Sequence, residues 1–397
     1  MILGVAATQV FSPASLDEAS AVLTDLAAKK RTVTVVGGET ALELGNAPSA
    51  VDAVVSTARL DRIVEYAPAD QIVTVEAGIK LKNLQEQLLP NRQRLALDPP
   101  LPGRATLGGV IATNAYGPRR TRYGTVKDLI VGMTIVRPDG AIARGGGKVV
   151  KNVAGFDVPK LMVGSLGTLG MIATVTLRLH PLPDAERALL FTGCTAAEVH
   201  ALVGDMIAAQ LEPAVALAIG EGRKYMLCVR FEGFSAGVDA QVVALHAIAQ
   251  RRGRHAEELS PLDWVPIDAA HDAARTSNAL RVKISAPPSE FAHLHEHVVA
   301  PLAAQLGDAR AAAYPSAGIA FVSGNPPDAR VTETLAASRG LAESKGGTLV
   351  VTAAPAEIRA GIDVWGTPPA AYGLMRALKA RFDPGRRFNP GRFVGGL

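Results

Sequence analysis

The sequence predicts an α+β protein of two domains, and three observations carry that expectation. At 397 residues the chain exceeds the usual single-domain size. Its first half runs helix, strand, several further strands, then helix, rather than in a regular βαβ alternation. Glycine clusters crowd that first half and thin out beyond about residue 187, where the character of the chain changes.

Taken in order, residues 15–30 read as a helix: Ser15 can cap it, and Leu16, Ala19, Val22, Leu23 and Leu26 form an apolar stripe. A strand over 32–36 exits into Gly37-Gly38-Glu39-Thr40. Residues 53–56, 63–66 and 72–78 are strand-like, with turn residues between them. A short helix over 81–89 is stopped by Pro90. Residues 106–123 read as a loop system, 129–136 as a strand, and Pro138-Asp139-Gly140 as a turn. Residues 141–143 lead into Gly145-Gly146-Gly147, and 171–179 alternate apolar with polar residues as a half-buried strand does. Leu182-Pro183-Asp184 reads as a linker. From 187 to 370 the pattern is of Ala-rich helices and short strands, and the tail from 372 carries a helix followed by two Pro-Gly turns.

Composition narrows the class. Apolar residues make up 48% and charged residues 20%, ample for a large core and contrary to disorder. A net charge of +4, with a pI near 9.1, is too small an excess for a nucleic-acid binder but suits a locally basic site for an anion. The two cysteines, Cys194 and Cys228, read as buried free thiols and cannot supply the four thiolates of an ordinary iron–sulfur cluster. The first ten residues lack the basic region of a signal peptide, and no apolar run reaches membrane-spanning length. The expected location is cytoplasmic, with any membrane association made through partners.

The densest information lies between residues 106 and 170. Thr106-Leu107-Gly108-Gly109 opens it, Gly117-Pro118-Arg119-Arg120-Thr121-Arg122-Tyr123-Gly124 follows, and Gly164-Ser165-Leu166-Gly167-Thr168-Leu169-Gly170 closes it. Glycines at this density let main chain approach something large or turn with positive φ. Together with the 37–40 loop they suggest a long, phosphate-bearing cofactor threaded between main-chain segments, which points to a flavin dinucleotide.

These motifs, in this order, resemble the FAD-linked oxidases of the VAO/PCMH type, most closely the FAD-binding E subunits of glycolate oxidases. Val64-Glu65-Tyr66-Ala67-Pro68-Ala69-Asp70, Val73-Thr74-Val75-Glu76-Ala77-Gly78, Lys151-Asn152-Val153-Ala154-Gly155-Phe156-Asp157 and Phe388-Asn389-Pro390-Gly391-Arg392 strengthen the likeness. It covers residues 12–185 and the tail. The resemblance implies a PCMH-type, two-subdomain FAD-binding domain over 1–185, an α+β cap/substrate or partner-binding domain over 186–371, and a C-terminal segment, 372–397, returning to the first domain.

For the cofactor the resemblance implies contacts from Val36, Gly37, Gly38, Glu39, Thr40, Ala41, Pro100, Leu101, Gly103, Thr106, Leu107, Gly108, Gly109, Ala112, Thr113, Asn114, Tyr123, Gly170, Ile172 and Asn389. Main-chain amides of the 37–40 loop would wrap the pyrophosphate. Glu39 would then have to point away from the phosphates or reach a neighbouring amide. Relatives often attach FAD through a His in this loop or a later Cys. Glu39 and Thr40 stand in the first place and no cysteine precedes residue 194, so non-covalent FAD is expected. The turn over 164–170 serves equally as a tight helix–strand connection, and the 388–393 segment as a C-terminal clasp.

Arg119, Arg120 and Arg122, beside Tyr123, form the strongest cationic cluster. They read either as cations near the flavin or a carboxylate substrate, or as a solvated or partner-facing loop. Lys148 and Lys151 are equally open. On a helix His293 and His297 share a face while His295 points away, and they read as a solvated helix face rather than a metal site, because no HExxH-type pattern surrounds them. A Trp-Gly-Gly segment with a following Arg-Trp, which the resemblance leads one to expect, is replaced by Ala313-Tyr314-Pro315-Ser316-Ala317-Gly318. Three functions follow as expectations. The chain is the FAD-binding subunit of a glycolate oxidase-like complex, working with a catalytic flavoprotein and an iron–sulfur subunit on a small hydroxy acid. Alternatively it is a self-sufficient FAD dehydrogenase of another hydroxy acid or alcohol, or a non-catalytic structural subunit.

Overall fold

The computed structural model describes residues 2–147, 157–221 and 223–397. The chain divides into two compact units. One comprises Met1–Gly117, Gly124–Leu182 and Thr367–Leu397; the other comprises Pro118–Tyr123 and Pro183–Gly366.

The first unit opens with the strand Gln9–Phe11. It pairs in parallel with Ala53–Ser56, which also pairs in parallel with Val33–Val36. The helix Leu16–Ala28 starts where its cap predicts: Ser15 Oγ accepts from the Glu18 amide at 3.1 Å. Its stripe buries Ala19, Leu23 and Leu26 completely against Val33, Val55, Met171 and Phe388, with Leu16 and Val22 half-buried beside them. Burying three such side chains is worth several kcal/mol at roughly 1.5–3 kcal/mol for each large one. A second, antiparallel sheet runs in the order Ile63–Ala67, Ile72–Glu76, Met171–Arg178, Ile130–Val136, Ile142–Gly146. The 106–123 stretch is not all loop. Leu107–Thr113 is a helix, because Thr106 caps its start and Asn114 ends it with a left-handed φ of 48°.

The second unit is built on an eight-stranded antiparallel sheet. Its order is Glu257–Leu259, Ala185–Cys194, Lys224–Gly233, Val215–Glu221, Gly307–Tyr314, Ile319–Asn325, Leu280–Ser285, Thr348–Ala353. Two of these strands are 10 residues long, so the expectation of short strands does not hold. Alternation sorts the strand Lys224–Gly233 cleanly: Leu227, Val229 and Phe231 enter the main core, while Arg230 and Glu232 point to the opposite face. On that face the helix Trp264–Thr276 packs, with Trp264 under the Arg230 guanidinium at 3.8 Å. Among the described residues no helix is long and apolar enough to cross a membrane.

Candidate functional site

The strand Val33–Val36 leaves its sheet at Gly37, and residues 37–42 form one wall of a groove in the first unit. Gly108, Gly109, Ala112 and Thr113 of the helix Leu107–Thr113 form the facing wall. Leu166, Gly167, Gly170 and Ile172 add a third side, and Asn389 and Arg392 of the tail close the end. Counted out to its open mouth, the groove holds about 740 Å³.

The glycines at the first wall are required by packing. A Cβ on Gly37 would stand 2.1 Å from Thr106 Oγ1, and one on Gly38 only 1.8 Å from the Arg104 carbonyl oxygen. What these two residues admit is therefore the main chain of the neighbouring wall. The Thr106 hydroxyl holds the walls together: it accepts from the Gly38 amide at 3.2 Å and from the Gly109 amide at 3.4 Å, capping the helix at the same time. Glu39 is exposed and takes a left-handed φ of 57°, a strained state for a residue with a side chain.

The tail supplies the groove's polar end. Asn389 is 2% exposed, and its Nδ2 donates to the Leu166 carbonyl at 2.6 Å. Its Oδ1 is buried with no hydrogen-bond partner, as is Asn114 Oδ1 at the end of the facing helix. A buried acceptor left open is costly and asks for a donor. Arg392 Nη2 donates to the carbonyls of Leu42 at 2.7 Å and Leu44 at 2.6 Å, fixing the continuation of the first wall. Glycine-bearing walls, with a buried amide oxygen left without a donor among the lining residues, fit a flavin dinucleotide.

Of the residues expected at the cofactor, Val36, Gly37, Gly38, Glu39, Thr40, Ala41, Gly108, Gly109, Ala112, Thr113, Gly170, Ile172 and Asn389 line this one groove. Thr106 stands behind the first wall, and Leu107 is buried, donating its amide to the Ile79 carbonyl. Pro100, Leu101 and Gly103 lie in the preceding turn, where the Leu101 carbonyl accepts from the Arg104 and Ala105 amides. Leu42 and Thr57 line the groove unannounced by any motif. Lys148 and Lys151, with the Lys151-to-Phe156 part of its motif, lie outside the described residues. Asp157, just after them, caps the helix Val158–Met162, and its pairing with Lys160 at 2.6 Å holds its carboxyl below the usual range.

The arginine cluster belongs to the second unit. Arg119 donates twice to Glu232 Oε1, at 3.1 and 3.2 Å, and Tyr123 donates to Oε2 of the same carboxylate at 3.3 Å. The Glu232 side chain is wholly buried. Arg122 donates to the Glu232 carbonyl and lines a cavity with Val203, Met206, Leu211 and Pro213. Neither a free cation at the flavin nor a solvated loop describes Arg119. The histidines also divide. His293 and His297 stack at 4.4 Å, but His295 lies on the buried stripe with Phe291, Leu294, Val298 and Val299, and meets the Tyr225 hydroxyl at 2.8 Å. Among the described residues no group of three or more His, Cys, Asp or Glu is placed to hold a metal. Both cysteines are buried free thiols.

Residues 7–146 match the FAD binding domain family, and the chain has an α+β, PCMH-type fold, with FAD as its cofactor. A solved alkyldihydroxyacetonephosphate synthase superposes on 97% of this chain and 77% of its own, with a TM-score of 0.75 at 16% identity. The D-lactate dehydrogenase of Archaeoglobus fulgidus is 37% identical over 174 residues, 43% of this chain and 38% of that protein. The glycolate oxidase subunit GlcE of Escherichia coli is 39% identical over 128 residues, 32% of this chain and 37% of that protein. The chain thus spans well under half the length of these two relatives.

Proposed function

We propose that this chain binds FAD non-covalently in the groove. We propose further that it is the FAD-binding subunit of a glycolate oxidase-like complex, oxidising a small 2-hydroxy acid such as glycolate to the 2-oxo acid. The carrying observation is the groove's composition: two walls locked by Thr106, closed by a tail amide whose Oδ1 has no partner. The lining residues would hold the dinucleotide, with Thr106 and Leu107 positioning the walls. No His or Cys stands among the described lining residues, which supports a non-covalent cofactor.

Bound FAD supplies the acceptor for a hydride leaving the CH–OH carbon. The protein's own task is to hold the substrate carboxylate. With only two cysteines in its sequence, too few for the four thiolates of an ordinary iron–sulfur cluster, the chain would pass electrons to a partner flavoprotein and an iron–sulfur subunit.

The test is a visible spectrum of the purified chain before and after acid precipitation, followed by anaerobic glycolate or D-lactate. Flavin bands that move to the supernatant support non-covalent FAD, and a colourless protein that takes up no added FAD refutes the reading. The likeness to a D-lactate dehydrogenase favours a second reading, a self-sufficient dehydrogenase. Steady dye reduction by the isolated chain would select it.

A further inference from the structure

We propose that Lys379, paired with Asp383, is the positioning residue that sets the flavin groove, by fastening the tail and the 165–170 turn to each other. The inference rests on the FAD reading of the groove and deepens it. Lys379 lies on the helix Tyr372–Phe382, away from the groove lining, and is 3% exposed. Its ammonium spends all three protons on buried acceptors: the Thr168 carbonyl at 2.7 Å, Asp383 Oδ2 at 2.7 Å and the Phe388 carbonyl at 2.9 Å. Asp383 Oδ2 also accepts from the Phe388 amide at 2.8 Å, so the pair grips both polar ends of one residue.

That grip decides where the next residue goes. The Asn389 amide donates to the Val33 carbonyl, its φ is 45°, and its side chain reaches the Leu166 carbonyl from inside the groove. Thr168, held at the other end of the ammonium, belongs to the turn that presents Leu166, Gly167 and Gly170. One buried cation therefore fixes two groove segments more than 200 residues apart in sequence (the Lys379–Thr168 separation is 211). Burial presses the Lys379 pKa down while Asp383 opposes it, as expected of an ion pair kept for geometry rather than for stability alone.

A buried ion pair can often be replaced by apolar residues without loss of stability, whereas removing one partner strands a charge. This separates a positioning role from a structural one. The double variant Lys379→Met/Asp383→Leu removes both charges, and Lys379→Met alone leaves one. FAD affinity is read by quenching of flavin fluorescence on titration into the FAD-stripped full chain, and the melting temperature of that stripped chain is read in parallel. The expected result is at least a tenfold weaker Kd in the double variant, with a melting temperature that falls, because the Phe388 amide and two carbonyls lose their partners, but falls less than that of Lys379→Met alone. Hydrogen exchange should rise at residues 166–170 and 389–392.

Wild type that binds FAD beside a double variant that binds it within twofold overturns this inference and leaves the FAD reading standing. Wild type that takes up no FAD overturns both. If the double variant does not fold, the isosteric Asp383→Asn carries the test. There, faster exchange at residues 389–392 with a weaker Kd supports the proposal, and unchanged exchange and Kd overturn it.

Discussion

At the scale of the residue, Glu39 and His295 each carry a measurable consequence. Glu39 is exposed at a groove read as a pyrophosphate cradle, on backbone that favours glycine. Glu39→Gln removes a negative charge near two phosphates and keeps the shape, so FAD should bind about two- to fivefold more tightly at low salt. The gain should shrink toward 1 M salt as the Debye length falls to about 3 Å. Equal affinities at low salt would show that the carboxylate faces away from the phosphates. His295 is buried, and desolvation depresses its pKa from 6.5 to about 3; its partner Tyr225 is pushed up to about 12 and stays neutral throughout. Below pH 6.5 the unfolded chain takes up a proton that the folded chain refuses, so stability falls as pH drops from 6.5 toward 3. By pH 5 this one group should cost about 2 kcal/mol, at 1.36 kcal/mol per pKa unit. Urea unfolding of wild type and His295→Gln between pH 7 and 4.5 checks it. The variant should show the shallower dependence, by up to one proton, and parallel curves would contradict the assignment.

At the scale of the element, much was legible. The helix Leu16–Ala28 announced itself by its cap and its stripe, and the strands Ala53–Ser56 and Met171–Arg178 by β-branched runs and alternation. The helix Leu107–Thr113 was not legible, because two glycines at its start and only seven residues of length hide its period. What forms it is tertiary: the Thr106 hydroxyl, shared between its first turn and the Gly38 amide. Thr106→Val keeps volume and strands both amides, so the chain should lose about 1–2 kcal/mol in chemical denaturation. Because the lost bonds join the two walls, FAD affinity should fall with it, by roughly tenfold, and Thr106→Ser should restore both. A Val variant with full FAD affinity would show that the walls stand without this bridge. The burial of His295 follows the ordinary helical period, since it falls on the stripe Phe291, Leu294, Val298, Val299 and Leu302, opposite His293 and His297.

At the scale of the whole molecule, the groove gathers residues from Val35 to Arg392, almost the full length of the chain. Each contributing piece left a mark in the sequence, as a glycine pair, a Gly-Thr-Leu-Gly turn or an Asn-Pro-Gly. Their assembly did not, since long-range hydrogen bonds such as Asn389 to Leu166 and Arg392 to Leu42 have no periodicity to read. Resemblance to a family supplied the order of the pieces, and the structure supplied the physical reason that they meet. This assembly makes a prediction that a single-loop site would not make. Adding FAD to the stripped chain should slow amide exchange together in four stretches, 36–42, 108–113, 166–172 and 389–392, because each is hydrogen-bonded to, or packed on, another. Ligand at 100 times its Kd adds about 2.7 kcal/mol to the states that bind it, so protection of these stretches should rise by up to two orders of magnitude. Protection confined to 36–42, with the tail exchanging as before, would mean that the cofactor meets only the first glycine loop. The tail would then be a clasp with no part in holding FAD.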